Sequence, residues 1–241
     1  MLIVGLTGGI GTGKSTVSKR IREKHNLAIV DADLIAKEVV YPGKRAYKKV
    51  VETFSQDVPD LINPEDQSLN RAALGRAVFG NKERLAKLNA IVHPAVKWEI
   101  GRQILKAYFT FKSVVILDVP LLFESGLHKI CGVVITVSST KELQIERLLK
   151  RNPELSRDDI EKRISSQMSN EERNHRADLV IDNTKNLFQL ENNVDAAIRK
   201  IIPSVLWTVL DYFPPIGLLS AAYTYTVRSR EEKAKGKLKE D

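Results

Sequence analysis

The chain has 241 residues, of which 43% are hydrophobic and 28% charged, and 38 Lys and Arg against 30 Asp and Glu give a net charge of +8. This composition excludes wholesale disorder and the collagen-like and coiled-coil classes. The single Cys131 excludes a disulfide framework within the chain and favours a reducing compartment, and the first residues predict no cleaved secretory signal.

Short, almost wholly apolar runs recur along the chain and predict the strands of one sheet. They lie at residues 2–6, 27–30, 114–117, 133–137 and 179–181. Continuous apolar character is typical of strands buried on both faces, and the helical patterns between the runs predict crossover helices. The sequence therefore predicts an α/β fold with a five-stranded parallel sheet.

The first strand is followed by a glycine-rich loop and then by a helical pattern. The loop fits the phosphate-binding consensus G-x-x-x-x-G-K-[ST] in the setting that gives it meaning. Its residues, with the threonine that follows, are Gly8, Gly9, Ile10, Gly11, Thr12, Gly13, Lys14, Ser15 and Thr16. Glycines let backbone N–H groups turn toward phosphate oxygens, and the next helix adds the positive end of its dipole. This loop predicts binding of a nucleoside triphosphate.

Side chains around the loop have separate predicted roles. Lys14 is expected to reach the β- and γ-phosphates, and the Ser15 hydroxyl is expected to ligate Mg²⁺. Thr7 and Thr16 flank the loop as further hydroxyl contacts. The alternative, a glycine-rich turn with an incidental lysine, is disfavoured by the flanking strand and helix.

Two carboxylates follow the second strand, where ligands bind in open α/β sheets. They are Asp31 and Asp33. One of them can accept the proton of an attacking hydroxyl while the phosphoryl group is held in line, and either can cap the next helix. Position alone does not choose between them.

The second and third strands are separated by a long insert with helical patterning. We expect helices at 69–79, 81–92 and 94–108, with Pro94 opening the last one. His93 precedes that proline, and its two interpretations are a capping or core residue and a functional contact. The other histidines have no cysteine or aspartate at metal-ligand spacing, so we expect no zinc site.

Asp118 ends the third strand and is the only candidate for the acidic residue of a motor ATPase. It could hold Mg²⁺ through water or cap the strand-to-loop turn. The chain is short for a motor, and a switch GTPase is disfavoured because Asn81 opens Asn-Lys-Glu-Arg rather than the guanine-specific motif.

Residues 140–177 predict a pair of charged helices. Ser139 with Glu142, and Ser169 with Glu172, have the capping-box spacing. Arginines recur through this region, at 147, 151, 157, 163, 173 and 176. A solvated, ion-paired face is the default interpretation of such a run; a mobile lid that brings guanidinium groups onto phosphates is the functional one.

Taken together, these motifs resemble the dephospho-CoA kinase family. The resemblance covers about residues 1–200 in order, and its specific part is the combination of Asp-Ala-Asp, His-Pro and Asp-Val-Pro-Leu-Leu-Phe-Glu with the glycine-rich loop. Further matches are Val40-Tyr41-Pro42-Gly43, Leu88-Asn89, Arg147, Arg151, Gln167, Ala177-Asp178 and Asp182-Asn183. Asp118 lies within that pattern, but the resemblance does not assign it a role in binding Mg²⁺.

The resemblance implies a P-loop kinase that uses ATP and Mg²⁺ to phosphorylate the 3′-hydroxyl of dephospho-CoA, the last step of coenzyme A synthesis. It implies a kinase domain over 1–200, with core segments 1–40, 113–140 and 177–200, a helical substrate insert over 41–112 and a lid over 141–176.

It also implies roles for individual residues. Asp33 rather than Asp31 resembles the family residue that faces the acceptor hydroxyl, and Arg147 resembles a lid residue that helps to screen charge. The expected contacts on the acceptor side are Thr7, His93, Leu121 and Glu124. Asn183 resembles part of the loop beside the adenine. Both substrates are polyanions, so nucleic acid is not needed to explain the positive charge.

The stretch 201–227 is rich in apolar and aromatic residues and has no Lys or Arg, and a charged end follows it. Asp211 and the pair Pro214-Pro215 argue against a clean membrane span. Three alternatives stay open: an element lying on a membrane surface, packing on the kinase core or a partner protein, and a true span. The tail fits eukaryotic single-domain members of the family and predicts a chain in the cytosol or on the cytoplasmic side of a mitochondrial or endoplasmic reticulum membrane, not a secreted one.

Two other functions fit parts of the same sequence. A kinase for another small hydroxyl substrate, such as a nucleoside, is separable by a panel of acceptors. A tail-anchored scaffold that binds ATP without turnover is disfavoured by the intact Lys14, Ser15 and Asp33.

Overall fold

The structure is a computed structural model that describes residues 1–237, with side chains through residue 234. Residues 238–241 of the predicted C-terminal extension lie outside the described residues. The five strands are β1 (Leu2–Gly8), β2 (Ala28–Asp31), β3 (Val114–Asp118), β4 (Val133–Ser138) and β5 (Leu179–Asp182). Their order across the sheet is β2-β3-β1-β4-β5, and each predicted apolar run forms one of them, which confirms the predicted sheet.

The central strand β1 is paired in parallel on both sides. Leu6 stands opposite Asp118 on β3 and Ile135 on β4. Because parallel strands end at one edge, Gly8, Asp118 and Ser138 all lie at the carboxyl edge of the sheet. Every residue of β3 is buried, as its uninterrupted apolar run predicted.

Helices connect the strands and continue beyond the last one. In chain order they are α1 (Lys14–His25), α2 (Ala32–Glu38), α3 (Arg45–Phe54), α4 (Arg71–Val78), α5 (Lys82–Phe109), α6 (Lys141–Arg151), α7 (Arg157–Ser165), α8 (Asn170–Arg176), α9 (Leu187–Ile201), α10 (Val205–Asp211) and α11 (Pro214–Lys237). A short 3₁₀ helix, Leu127–Ile130, lies between β3 and β4.

The chain divides into two compact units. Of the described residues, one unit contains 1–30 and 107–237, and the other contains 31–106. In the first unit, α1 and α9 contribute Val17, Ile21, Val194 and Ile198 to a core built on the strands. The second unit has its own core, which includes Val50, Phe54, Leu61, Leu74 and Val78. Each unit therefore buries a separate apolar cluster.

The prediction that Pro94 opens a helix was wrong. Residues 81–92 and 94–108 were expected as two helices, but α5 runs without a break from Lys82 to Phe109 with Pro94 inside it. A proline removes one intrahelical hydrogen bond and crowds the preceding turn. Helix-forming sequence on both sides sustains the helix across that single lost bond, so the proline does not end it.

The predicted lid region, expected as a pair of helices, forms three, α6, α7 and α8, and one of its two predicted caps was wrong. Thr140, not Ser139, caps α6 by accepting a hydrogen bond from the Leu143 N–H at 3.3 Å. Ser139 instead accepts one from Arg147 and donates to the Asn183 carbonyl at 3.4 Å. The Ser169 cap of α8 is confirmed, since its side chain accepts from the Glu172 N–H.

The C-terminal segment forms α10 and α11, joined at Tyr212–Phe213 with a bend of 98° between them. The two prolines occupy the first turn of α11, where their missing N–H groups have no intrahelical partner in any case. Among the described residues, no single helix is long and apolar enough to cross a membrane; the bent pair passes the same test by length and composition.

Candidate active site

The glycine-rich loop connects β1 to α1 at the carboxyl edge of the sheet. Gly11 and Gly13 have φ values of 78° and 93°, in the left-handed region that favours glycine. At Gly13 the requirement is also steric, because an added Cβ would collide with the Asn183 Nδ2 atom. Because Gly13 has no side chain, the loop can pass close to Asn183, which follows β5.

Hydrogen bonds from two side chains hold the loop in shape. Thr12 is fully buried, and its hydroxyl donates to the Gly9 carbonyl at 2.8 Å. The Asn183 side-chain amide donates to the Thr12 carbonyl at 2.7 Å. Asn183 thus supports the backbone of the loop, and its contact with adenine stays a prediction.

The loop lysine is paired with Asp118. The Lys14 Nζ atom lies 2.6 Å from Asp118 Oδ1, and Asp118 is only 3% exposed. The register between β1 and β3 puts this carboxylate at the sheet edge beside the loop. Asp118 therefore has a partner that the sequence did not suggest, since we expected it to bind Mg²⁺ through water or to cap a turn.

Arg147 of the lid reaches the loop from the other side. Its Nη1 donates to Ser139 Oγ at 3.1 Å and to the Gly11 carbonyl at 3.4 Å, and its Nη2 donates to the Asn183 carbonyl at 2.9 Å. Arg151, one turn later, is exposed and donates to the Asn152 side chain. The structure thus brings Arg147 to the loop and leaves Arg151 away from it.

Two glutamines of the lid region also contact the loop. Gln144 Nε2 donates to the Ile10 carbonyl, and Gln167 Oε1 accepts from the Ile10 N–H at 2.9 Å. Gln167 was matched only as part of the family pattern, and Gln144 was missed. The available signal was an uncharged polar residue among the apolar positions of α6, next to Ile145 and Leu148.

The residues of the first unit that were predicted to contact the acceptor lie near the end of β1 and in the loop after β3. Thr7 is buried, and its hydroxyl donates to the Pro120 carbonyl at 2.8 Å. Leu121 and Glu124 are exposed in the loop that follows β3. The Thr7 hydroxyl therefore fixes that loop, while the other two side chains are available to a ligand.

The remaining predicted residues lie in the second unit. Asp31 caps α2, since its Oδ1 accepts a hydrogen bond from the Leu34 N–H at 3.0 Å. Asp33 is exposed in the first turn of that helix, and His93 is exposed within α5. The sequence left open which of the two aspartates caps α2, and the structure shows that Asp31 does.

Ser15 is the residue that fits a magnesium ion. It is exposed at the first turn of α1, directly after Lys14, where its hydroxyl can reach a metal held by phosphate oxygens. Magnesium keeps several waters and needs few protein ligands beside substrate phosphates, so one hydroxyl suits it. No group of three His, Cys, Asp or Glu suitable for a metal occurs in residues 1–237.

Comparison with known proteins gives one consistent match. The sequence profile of the dephospho-CoA kinase family matches residues 2–189. Dephospho-CoA kinase CAB5 of Saccharomyces cerevisiae is 51% identical over 92% of this chain and 92% of its own length. A dephospho-CoA kinase of Bacillus cereus is 42% identical over 87% of this chain and 99% of its own. The solved dephospho-CoA kinase from Campylobacter jejuni is 26% identical, with a TM-score of 0.59 over 83% of this chain and 97% of its own.

Proposed function

This chain belongs to the dephospho-CoA kinase family, and from that premise we propose how its own residues perform the transfer. The chain is a dephospho-CoA kinase, an ATP-dependent phosphotransferase to an alcohol acceptor, with dephospho-CoA and ATP as its substrates. We assign the acceptor atom as the 3′-hydroxyl, which gives coenzyme A and ADP. The family match supports the choice of acceptor, and the complete phosphate-binding loop, with Lys14 paired to Asp118, is the observation that supports phosphoryl transfer from ATP.

The loop and α1 hold the donor phosphates. Backbone N–H groups from Gly8 to Thr16 and the helix dipole stabilise negative charge, and Lys14 adds a full positive charge at the β- and γ-phosphates. Asp118 keeps the lysine side chain oriented, so little reorganisation is needed when charge develops in transfer. Arg147 screens further phosphate charge, and Asn183 contributes on the adenine side.

Ser15 is the residue that would hold Mg²⁺. The ion, when bound with ATP, neutralises charge on the β- and γ-phosphate oxygens. The exposed hydroxyl at the start of α1 supports this role. Exchange of Ser15 for alanine should raise the Mg²⁺ concentration needed for half-maximal turnover, and an unchanged requirement would remove Ser15 from the metal site.

Asp33 is the proposed general base. Asp31 uses one carboxylate oxygen for the cap of α2, whereas Asp33 is an exposed carboxylate in the first turn of that helix. It accepts the proton of the 3′-hydroxyl as that oxygen attacks the γ-phosphate. Thr7, His93, Leu121 and Glu124 are proposed to bind and orient the acceptor.

A turnover assay tests this function directly. Purified full-length chain should convert dephospho-CoA and ATP to coenzyme A and ADP, and chelation of Mg²⁺ should stop the reaction. Adenosine and other nucleosides should be slower acceptors by a factor on the order of 10² or more. A nucleoside that turns over as fast as dephospho-CoA would contradict the acceptor assignment.

The C-terminal segment is proposed to lie on an anionic membrane surface. The segment contacts the rest of the first unit at two places: Asp211, where α10 ends, pairs with the N-terminal amine at 3.1 Å, and Glu232 of α11 pairs with Lys129 at 2.7 Å. Between them, large apolar side chains are exposed, namely Phe213, Leu218, Leu219, Tyr223 and Tyr225. Aromatic and leucine side chains on such a segment suit the headgroup region.

We propose that this surface is the cytoplasmic side of an organelle membrane. The full chain and a chain ending at Lys200 should be compared by flotation with vesicles of phosphatidylcholine and about 30% phosphatidylserine, whose charge gives the surface a negative potential. Only the full chain should float. Equal recovery of both in the soluble fraction would defeat the membrane assignment and favour packing on the core or on a protein.

A further inference from the structure

Arg173 on α8 carries a charge inside the protein. It is 1% exposed and is one of the largest fully buried side chains in residues 1–234. A buried guanidinium is unfavourable unless its N–H groups and its charge have partners. The hydrogen-bond partners and charges around Arg173 therefore indicate which kind of ligand it could bind.

Most of its donors are unused. Arg173 Nη1 donates to Asn170 Oδ1 at 3.2 Å, but Nε and Nη2 are buried without a hydrogen-bond partner among the described residues. Glu124 and Glu172 favour the charged form, yet burial is the larger effect and lowers the pKa of Arg173. A further anion with two acceptor oxygens would satisfy the free edge of the guanidinium.

Arg173 lines a cavity beside the loop. The cavity has a volume of 720 Å³ and is lined by Gly9, Gln144, Gln167, Asn170 and Arg173, among others. An added Cβ on Gly9 would lie 3.1 Å from Arg173 Nη1. The Nη1 side of the guanidinium therefore lies beside Gly9, in the first part of the loop.

Asn170 fixes the guanidinium in that place. Its amide Nδ2 donates to the Ser139 carbonyl at 2.9 Å and to Gln144 Oε1 at 2.7 Å, while its Oδ1 holds Arg173. Gln144 in turn donates to the Ile10 carbonyl. An uninterrupted chain of hydrogen bonds thus connects the loop backbone to Arg173.

We propose that Arg173 binds the terminal phosphate of ATP through Nε and Nη2, with Asn170 as its positioning residue. The inference rests on the proposed function, in which the loop and Lys14 hold the donor phosphates. Backbone N–H groups of such a loop cradle the inner phosphates and its lysine reaches the terminal one, so the proposal places the terminal phosphate within reach of both Lys14 and Arg173. The planar fork of the guanidinium matches two phosphoryl oxygens.

The test compares Arg173→Met, Arg173→Lys and the exposed control Lys162→Met in the full chain. Steady-state rates and binding of ATP and ADP should be measured for each. In Arg173→Met, kcat/KM for ATP should fall by a factor on the order of 10² to 10³. ADP affinity should change by less than about threefold, because ADP lacks the terminal phosphate; Arg173→Lys should recover part of the loss, and Lys162→Met should match the wild type.

Thermal unfolding without nucleotide separates binding from a structural role. Loss of a buried, incompletely paired charge should leave the unfolding midpoint of Arg173→Met unchanged or raised. Asn170→Ala, which keeps the guanidinium but removes its holder, should lower ATP affinity in the same direction and by less. That variant keeps the test available if Arg173→Met does not fold.

Several outcomes would overturn the inference. Equal loss of ATP and ADP affinity, or an unchanged kcat/KM for ATP, would remove Arg173 from the terminal phosphate. A rise in KM for dephospho-CoA alone would assign the anion to the acceptor instead. Absence of wild-type turnover would be a failure of the proposed function, and that result is distinct from wild-type turnover with an unaffected Arg173→Met.

Discussion

The glycine-rich loop with its lid contacts and the C-terminal segment 202–237 are opposite in construction. The loop side buries polar groups: Thr12, Asp118, Gln144 and Asn183 are buried and hydrogen-bonded to the loop or to Lys14. The C-terminal segment instead exposes large apolar side chains, Trp207 and Leu218 among them, and contacts the rest of the first unit through the charged residues Asp211 and Glu232.

The difference shows what determines the structure of each region. Buried polar groups are costly unless they are paired, so the loop and lid must adopt one arrangement, as binding and transfer of a phosphoryl group require. A group of exposed apolar side chains is unfavourable in water, and such a surface typically marks a site that binds a membrane or another protein. The proposed function therefore assigns catalysis to the loop side and proposes membrane attachment for the C-terminal segment.

Substitution of Lys14 should have the largest effect on turnover. Lys14→Met should reduce kcat by a factor on the order of 10² to 10³, because a preorganised cation at the transferring phosphoryl is lost. It also leaves Asp118 buried and unpaired, which should lower the free energy of unfolding by about 3 kcal/mol. Chemical denaturation and steady-state kinetics measure the two effects.

The double variant Lys14→Met with Asp118→Asn separates them. It should recover most of the stability, since no unpaired carboxylate remains, and none of the turnover. Recovery of turnover would show that Lys14 acts through stability alone.

A smaller effect is expected when the apolar surface of the C-terminal segment is made charged. Leu218→Asp with Leu219→Asp should weaken binding to anionic vesicles by a factor of about 10 or more, because each exposed leucine that enters the interface contributes about 1.5 kcal/mol or more. Turnover should stay within about twofold of the wild type. Phe79→Asp, at another exposed apolar residue, is the matched control and should bind vesicles normally; if it loses binding equally, the segment is not the attachment surface.

A local effect is expected where α11 is anchored. Arg228 pairs with Asp178 and also donates to the carbonyls of Cys131 and Gly132. Arg228→Ala should speed amide hydrogen exchange in α11 by about tenfold, since a few charge-assisted hydrogen bonds are lost. Exchange in β1 should not change. Unchanged exchange in α11 would mean that other contacts hold the helix.

The smallest effect concerns Asp195, which supports α1 from α9. Arg20, followed by Lys24 and His25, holds the pKa of this carboxyl well below its usual value. A lowered folded-state pKa contributes stability above the unfolded value of about 3.9, and that contribution is lost as pH falls through the folded value. The wild type should therefore lose about 1 kcal/mol more stability than Asp195→Asn between about pH 5 and acid pH.

Denaturation curves over this pH range measure the difference. Glu23→Gln, at an exposed pair with Lys19, is the control and should follow the wild type. Parallel pH profiles for the wild type and Asp195→Asn would contradict the ion cluster as a source of acid sensitivity.

The parts that sequence predicted well depend on near neighbours along the chain. Strands β1 and β3 follow from apolar runs, and the loop from Gly8 to Ser15 is a contiguous motif whose φ requirements are met by glycine. Such features need no knowledge of the rest of the fold. Family resemblance added the acceptor, which local chemistry alone left open.

The missed features depend on residues far apart in sequence. Gln144 and Arg173 contact the loop only because the lid helices return to it, and the partner of Lys14 follows from the register between β1 and β3. Pro94 was mispredicted because the helix around it outweighs one lost hydrogen bond. The choice between Asp31 and Asp33 needed the geometry of a cap.

The pair Asp31→Asn and Asp33→Asn tests the central claim most directly. Asparagine keeps the side-chain oxygen that caps α2 but removes the charge. In single-turnover transfer to dephospho-CoA at saturating ATP, Asp33→Asn should be slower by a factor on the order of 10² or more, with ATP binding retained, while Asp31→Asn stays within a few fold of the wild type. A large loss for Asp31→Asn with normal transfer by Asp33→Asn would contradict the account.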